Sequence, residues 1–170
     1  ANVEDATNIL TLATSYTDIA GNAGPSATTT NFTIDTTAPT VTSFTMSDTA
    51  LISGETSTVT IVFSEAVVGF DSTADITVPN GTLSSMSSSD NITWTGTYTP
   101  TANVEDATNI LTLATSYTDT AGNAGPSATT ANFTIDTTTL VIDTDGDGIP
   151  DVTDTDDDGD GFSDTDEITC

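Results

Sequence analysis

The chain has no lysine, no arginine and no histidine among its 170 residues, against 26 aspartates and glutamates. No cationic side chain can therefore pair with any carboxylate. Contacts with phosphate backbones or anionic lipid headgroups need positive charge, so neither nucleic acid nor direct membrane insertion is expected. The lack of histidine excludes histidine general-base chemistry and histidine metal ligation. No apolar run is long enough to span a bilayer. The single cysteine, Cys170, is the last residue. It is either a free thiol or paired with something beyond the sequence, and alone it does not fix a redox compartment. There is no initiator methionine and no signal peptide at Ala1, and the chain starts inside a repeat, so the expectation is a fragment of a longer protein. A net charge of −26 invites cations, above all Ca2+.

The acids are not spread evenly. Near the end two twelve-residue stretches follow one another with only Thr155 between them. The first carries Asp143, Asp145, Asp147, Asp151 and Asp154 at positions 1, 3, 5, 9 and 12, with Gly148 at position 6. The second carries Asp156, Asp158, Asp160, Asp164 and Glu167, with Gly161 at position 6. Calcium takes six to eight oxygens at about 2.3–2.6 Å, and this spacing wraps a chain around one ion. The glycine permits the sharp turn, the last acid closes the shell, and the backbone carbonyls of Ile149 and Phe162 stand at position 7. A solvated acidic tail is the plain alternative. Such a tail has no reason to place acids and glycine at fixed offsets twice. Without an ion the carboxylates repel; with one, binding and folding become a single event.

These loops are not EF-hands, because one residue cannot hold the helices that flank such loops. Pro150 at position 8 also lacks the N–H that paired EF-hand loops use. The sequences DxDxDGxxDxxD and DxDxDGxxDxxE resemble thrombospondin type 3 calcium repeats, over Asp143–Cys170 only. The resemblance implies a segment with calcium in its core. The sizeable apolar side chains between Asp143 and Glu167 are Ile149, Val152 and Phe162. That fits a segment held by metal more than by apolar burial.

The remainder is dominated by an internal repeat. Ala1–Thr37 recurs as Ala102–Thr138, a period of 101 residues, with two changes: Ile19 to Thr120 and Thr30 to Ala131. That period suits a tandem small domain, not a solenoid unit. Residues 1–38 are then the back end of one repeat, 39–139 a complete repeat, and 140–170 the calcium segment. Within 39–139, Val59, Ile61 and Phe63 alternate with polar or small neighbours, as do Ile92, Trp94 and Tyr98, Leu111 and Leu113, Phe133 and Ile135. Period two with abundant threonine and valine predicts strands with one buried face. Turn signals separate them at Ser53-Gly54, Pro79-Asn80-Gly81, Ser89-Asp90-Asn91 and Ala121-Gly122-Asn123. The fold class expected is all-β, a two-sheet sandwich, with Trp94 as an anchor between the sheets.

Val59-Thr-Ile-Val-Phe-Ser-Glu-Ala-Val67, Asn80-Gly81-Thr-Leu83, Trp94-Thr through Tyr98-Thr-Pro100, Tyr117-Thr-Asp119-Thr-Ala-Gly122-Asn123 and Ile135-Asp136-Thr137 resemble bacterial Ig-like domains across the whole unit. The resemblance implies an immunoglobulin-like sandwich in a long surface or secreted array. The expected function is non-enzymatic: a calcium-binding stalk, spacer or adhesive module. Its partners are calcium, the neighbouring Ig-like repeats and a surface ligand that the sequence does not name. The alternative is an accessory region of a secreted hydrolase whose catalytic domain lies elsewhere. Glu65, Asp119 and Asn123 either meet at one end of the sandwich as a cation site or cap turns through Asx hydrogen bonds, the commoner role. Asp35 and Asp136 precede the domain junctions, where linker calcium or simple solvation is open to them. Ser64-Glu65 is no nucleophile–base pair without histidine or lysine. Paired carboxylates can hydrolyse glycosides, but nothing in the sequence sets two of them in an aromatic cleft.

Overall fold

The computed structural model describes residues 2–139 and 142–164. Glu167, expected to close the second acidic loop, and Cys170 lie outside them. In chain order the strands are β1 (Glu4–Asn8), β2 (Thr11–Leu12), β3 (Ala27–Thr28), β4 (Phe32–Asp35), β5 (Val41–Met46), β6 (Ala50–Ile52), β7 (Ser57–Phe63) and β8 (Val67–Val68). A single helical turn, α1 (Ser72–Asp75), follows. Then come β9 (Ile76–Thr77), β10 (Gly81–Leu83), β11 (Thr93–Pro100), β12 (Glu105–Asn109), β13 (Thr112–Leu113), β14 (Thr118–Asp119), β15 (Ala128–Thr129) and β16 (Phe133–Asp136). The chain is nearly all β, as the alternation predicts. The turn α1 carries no period to read; it forms because the Asp71 side chain accepts the Thr73 N–H at 2.9 Å.

The complete repeat is a sandwich. One sheet has the order β10-β11-β7-β5, all antiparallel. The facing sheet has the order β12-β16-β6, with β6 parallel to β16. The short ladders β15-β13-β9 and β14-β8 form sheets of their own. In β7, Ser57, Val59, Ile61 and Phe63 are buried while the residues between them are not, so period two reaches the core directly. The side chains of Val59, Ile61 and Phe63 meet Leu51, Leu111, Leu113, Tyr117, Phe133 and Ile135 from the other layer in one apolar cluster. Each such side chain stabilises the fold by about 1.5–3 kcal/mol relative to leaving it in water.

Trp94 is not the anchor. It is half-buried near the start of β11 and packs edge-on against Phe70, with ring centroids 5.0 Å apart at 77°. That end of the strand is covered by Phe70 from the loop after β8, leaving the indole at the edge of the core. The anchoring is done by Tyr98 and Tyr117, both fully buried. Their hydroxyls donate to the carbonyls of Pro79 at 2.8 Å and Pro126 at 2.7 Å. Burial pushes both phenols up to about 12. Gly125 is required beside Tyr117, because a Cβ there would stand 2.0 Å from the ring.

The half repeat at the start folds locally in the same way. β1 pairs β4 with Glu4 opposite Asp35, Asp5 opposite Ile34 and Asn8 opposite Phe32. β12 and β16 repeat this register, including its irregularity, with Glu105, Asp106 and Asn109 opposite Asp136, Ile135 and Phe133. Tyr16 donates to Pro25 as Tyr117 does to Pro126. The difference is in what covers the apolar face. Leu10 is 66% exposed and its counterpart Leu111 is fully buried.

Candidate metal centre

The two acidic stretches fold into the same backbone loop. In the first, the N–H of Gly148 donates to Asp143 at 3.1 Å, that of Asp147 to Asp145 at 3.0 Å, and that of Ile149 to Asp147 at 2.7 Å. In the second, Gly161 donates to Asp156 at 3.0 Å, Asp160 to Asp158 at 3.2 Å, and Phe162 to Asp160 at 2.9 Å. At these three positions the donors and acceptors coincide; Gly146 donates to the Asp143 side chain, whereas Gly159 donates to the Asp156 backbone carbonyl. Gly148 and Gly161 have φ of 97° and 92°, a conformation that a side chain would strain.

The turns gather carboxylates. Asp143, Asp145 and Asp147 each offer an oxygen within 4.8 Å of the others, and so do Asp156, Asp158 and Asp160. The remaining acids of the pattern take other partners. Asp151 accepts the Thr144 N–H and hydroxyl, each at 2.8 Å, and Asp164 accepts the Asp157 N–H at 2.9 Å. Asp154 turns to the join between the loops, accepting from Thr155 at 2.6 Å and Asp156 at 3.1 Å. The Ile149 and Phe162 side chains are exposed.

Crowding of like charge is visible in the proton affinities. The Asp147 N–H draws the Asp145 carboxyl down, but burial and the carboxylates of Asp147, Asp154 and Asp143 outweigh it, and the pKa is raised. Asp157, which the loop spacing does not single out, is also raised, first by burial and then by Asp164, Asp151, Asp154 and Asp145. Its counterpart in the first loop is Thr144, whose hydroxyl reaches Asp151; at Asp157 that donor is replaced by another acid. One buried oxygen of Asp157 and one of Asp156 have no hydrogen-bond partner. Oxygen-only donors, acid triads and orphaned buried carboxylate oxygens are what a hard cation such as calcium fits. The run Asp156-Asp157-Asp158 is plain in the sequence, yet its middle member has no place in the twelve-residue pattern.

A third group of acids lies where the two repeats meet. Asp35, Glu65 and Asp119 place oxygens within 4.8 Å of one another. Asp119 is fully buried and caps its own turn: the N–H groups of Ala121 and Asn123 donate to it at 2.8 and 2.9 Å, and the Asn123 amide at 2.7 Å. Burial pushes its carboxyl up, but these bonds more than offset that and hold the pKa below the ordinary value. Glu65 is raised, first by burial and then by Asp119, Asp35 and Glu4. Asp119 thus caps its own turn with Asn123 as donor, while the acids gathered with it are Glu65 and Asp35. Asp136 is not in this group; it accepts from Thr138.

The sequence profile of the bacterial Ig-like domain family matches residues 35–135. The chain belongs to this family. No curated protein and no solved structure matches it. The matched span runs from the strand end at Asp35 to Ile135 and covers all of the sandwich but the last residue of β16. Bacterial Ig-like domains are typically non-catalytic structural modules of surface or extracellular proteins. Among the described residues no helix is long and apolar enough to cross a membrane. The acidic loops lie outside the matched Ig-like span, so their chemistry stands on their own geometry.

Proposed function

We propose that the chain is a spacer or adhesive module of a bacterial surface or secreted protein, in which Ig-like repeats lead into a calcium-binding segment of thrombospondin type 3 character. The observation that carries the calcium reading is the pair of acid triads, each on a loop whose glycine N–H donates to its first aspartate. Asp143, Asp145 and Asp147 would hold one ion, and Asp156, Asp158 and Asp160 a second. The carbonyls of Ile149 and Phe162, with Asp151, Asp154, Asp164 and Glu167, complete the shells. Calcium supplies the positive charge that no side chain of this protein can supply. The Ig-like unit is held by its apolar cluster and stays folded without metal, whereas the acidic segment orders on binding. In calcium the segment continues the stalk; without it the end of the chain is loose.

Isothermal titration of the whole chain tests this. About two ions should bind, with affinities of roughly 10⁻⁴–10⁻³ M, as in other extracellular modules. Absence of heat, together with unchanged circular dichroism at millimolar calcium, would sink the reading. Small-angle scattering should show the C-terminal end stiffening in calcium while the sandwich signal persists in chelator. The reading as an accessory region of a hydrolase makes the same demands on these residues; a catalytic domain in the full-length reading frame separates the two.

A further inference from the structure

Each repeat carries a loop and a turn that form identically in both copies. In the loop, Asp18 accepts the N–H groups of Ala20 and Asn22 and the Asn22 amide, all at 2.9 Å. Asp119 does the same with Ala121 and Asn123. In the turn, Asp35 accepts the Thr37 N–H at 2.9 Å and Asp136 accepts the Thr138 N–H at 3.2 Å. Neither device needs a neighbour to form. What differs is the second hydrogen of the asparagine amide. From Asn123 it points across the junction, with the nitrogen 3.3 Å from both the Asp35 and the Thr37 carbonyl oxygens.

The rest of the junction is tied on both sides. Thr36 and Val3 exchange bonds at 2.8 and 2.9 Å within the first repeat. Thr40 and Ser64 exchange two at 2.9 Å within the second. Pro39 between them is buried. A cleft of about 300 Å³ opens beside the contact, lined by Glu4, Asp5, Thr33 and Ile34 of one repeat and Thr120 and Ala121 of the other. One of the two differences between the copies falls here. Where the filled loop has Thr120, the unfilled one has Ile19, fully exposed.

We infer that this loop is a socket for the Ile-Asp-Thr-Thr exit of a preceding Ig-like repeat, and that Asn123 is the positioning residue that fixes the angle between successive repeats. Asp18–Asn22, with Ile19 at its rim, is the same socket presented to another repeat of this kind. A neutral amide suits the task. It bonds backbone carbonyls across a joint where Asp35, Glu65 and Asp119 repel, and no cationic side chain exists to take its place. The inference extends the spacer reading and makes no use of calcium.

The test is a distance measured across the joint in the whole chain. Spin labels go on Thr28→Cys and Thr58→Cys in a Cys170→Ser background. The native joint should give one narrow distance distribution, in calcium and in chelator alike. Asn123→Ala should at least double its width. Asn22→Ala removes the same capping bond from the unfilled loop and should leave the width unchanged, which separates a joint effect from loop damage. Thr120→Ile should narrow the distribution by filling the cleft. A broad distribution in the unsubstituted chain, equal broadening by Asn22→Ala, or broadening by chelator but not by Asn123→Ala would each overturn the inference. None of these touches the calcium loops, and a failure of those loops to bind calcium would leave the joint standing.

Discussion

Residues 1–37 and 102–138 are almost the same sequence in two surroundings. Their hairpins, loop caps and tyrosine–proline bonds agree bond for bond. Yet Leu12, Tyr16 and Phe32 are exposed in one copy, and Leu113, Tyr117 and Phe133 are buried in the other. The local fold is therefore a property of the segment, while the core is a property of what lies opposite. In the second copy the opposite layer is β5, β7 and β11; among the described residues the first copy has none. Hydrogen bonds alone do not make the two regions equally stable, since a two-stranded ribbon without a covered apolar face is marginal in water.

The largest contrast should come from truncating the shared aromatic. Phe133→Ala empties a filled core and should cost about 3–5 kcal/mol in thermal or denaturant unfolding of the sandwich. Phe32→Ala at the matching site should stay within about 0.5 kcal/mol. Equal costs would mean that the first copy has a hidden cover. Gly125→Ala against Gly24→Ala sharpens the same point. The added methyl must displace a buried ring at Tyr117 but only an exposed one at Tyr16, so unfolding should show the larger loss at Gly125. Amide exchange offers a third comparison: residues 1–38 should exchange at least about tenfold faster than 102–139. Equal protection in a monomer contradicts it.

The smallest effect expected is on pH, at the joint between the copies. The groups that face one another there are Asp35, Glu65, Asp119 and Glu4. Glu65 is raised by burial and then by its neighbours, so its folded form takes up a proton more readily than its unfolded form. The joint should tighten as pH falls from neutral through that raised value toward the ordinary 4.5. Asp119 has the opposite sign. Its lowered pKa gives stability that is complete above the ordinary 3.8 and is lost as pH falls below it. Label distances across the joint should therefore narrow and then widen on acidification. A monotonic widening from pH 7 would show that Glu65 is not under strain.

Much of this was legible beforehand. The four turn signals all fall at left-handed residues: Gly54, Asn80, Asn91 and Gly122 have φ of 85°, 47°, 58° and 95°. Turn chemistry and period two are local, so one sequence shows them. The acid triads were legible for the same reason, their members lying two residues apart. Trp94 misled because alternation tells which face a residue occupies but not whether the strand end beneath it is covered. Asp35 could not be joined to Glu65 and Asp119 from spacing, since only the fold brings three distant acids together. Asp157 was passed over because it stands at none of the offsets of the twelve-residue pattern, and only the fold shows that one of its oxygens is buried without a partner.

The parallel pairing of β6 with β16 has a consequence under load. Thr134, Ile135 and Asp136 lie beside Ala50, Leu51 and Ile52 with both strands running the same way. A pull on the two ends of the repeat loads β5 first, and through it draws β6 backward and the last strand, β16, forward along a common axis. The bonds between β6 and β16 are then sheared together, not peeled one after another, so extension beyond β5 must break them in concert. Among the described residues the half repeat at 1–38 has β4 as the counterpart of β16 but no counterpart of β6. Stretched from its ends, it should open like a zip at low force, while the complete repeat beside it still holds its length.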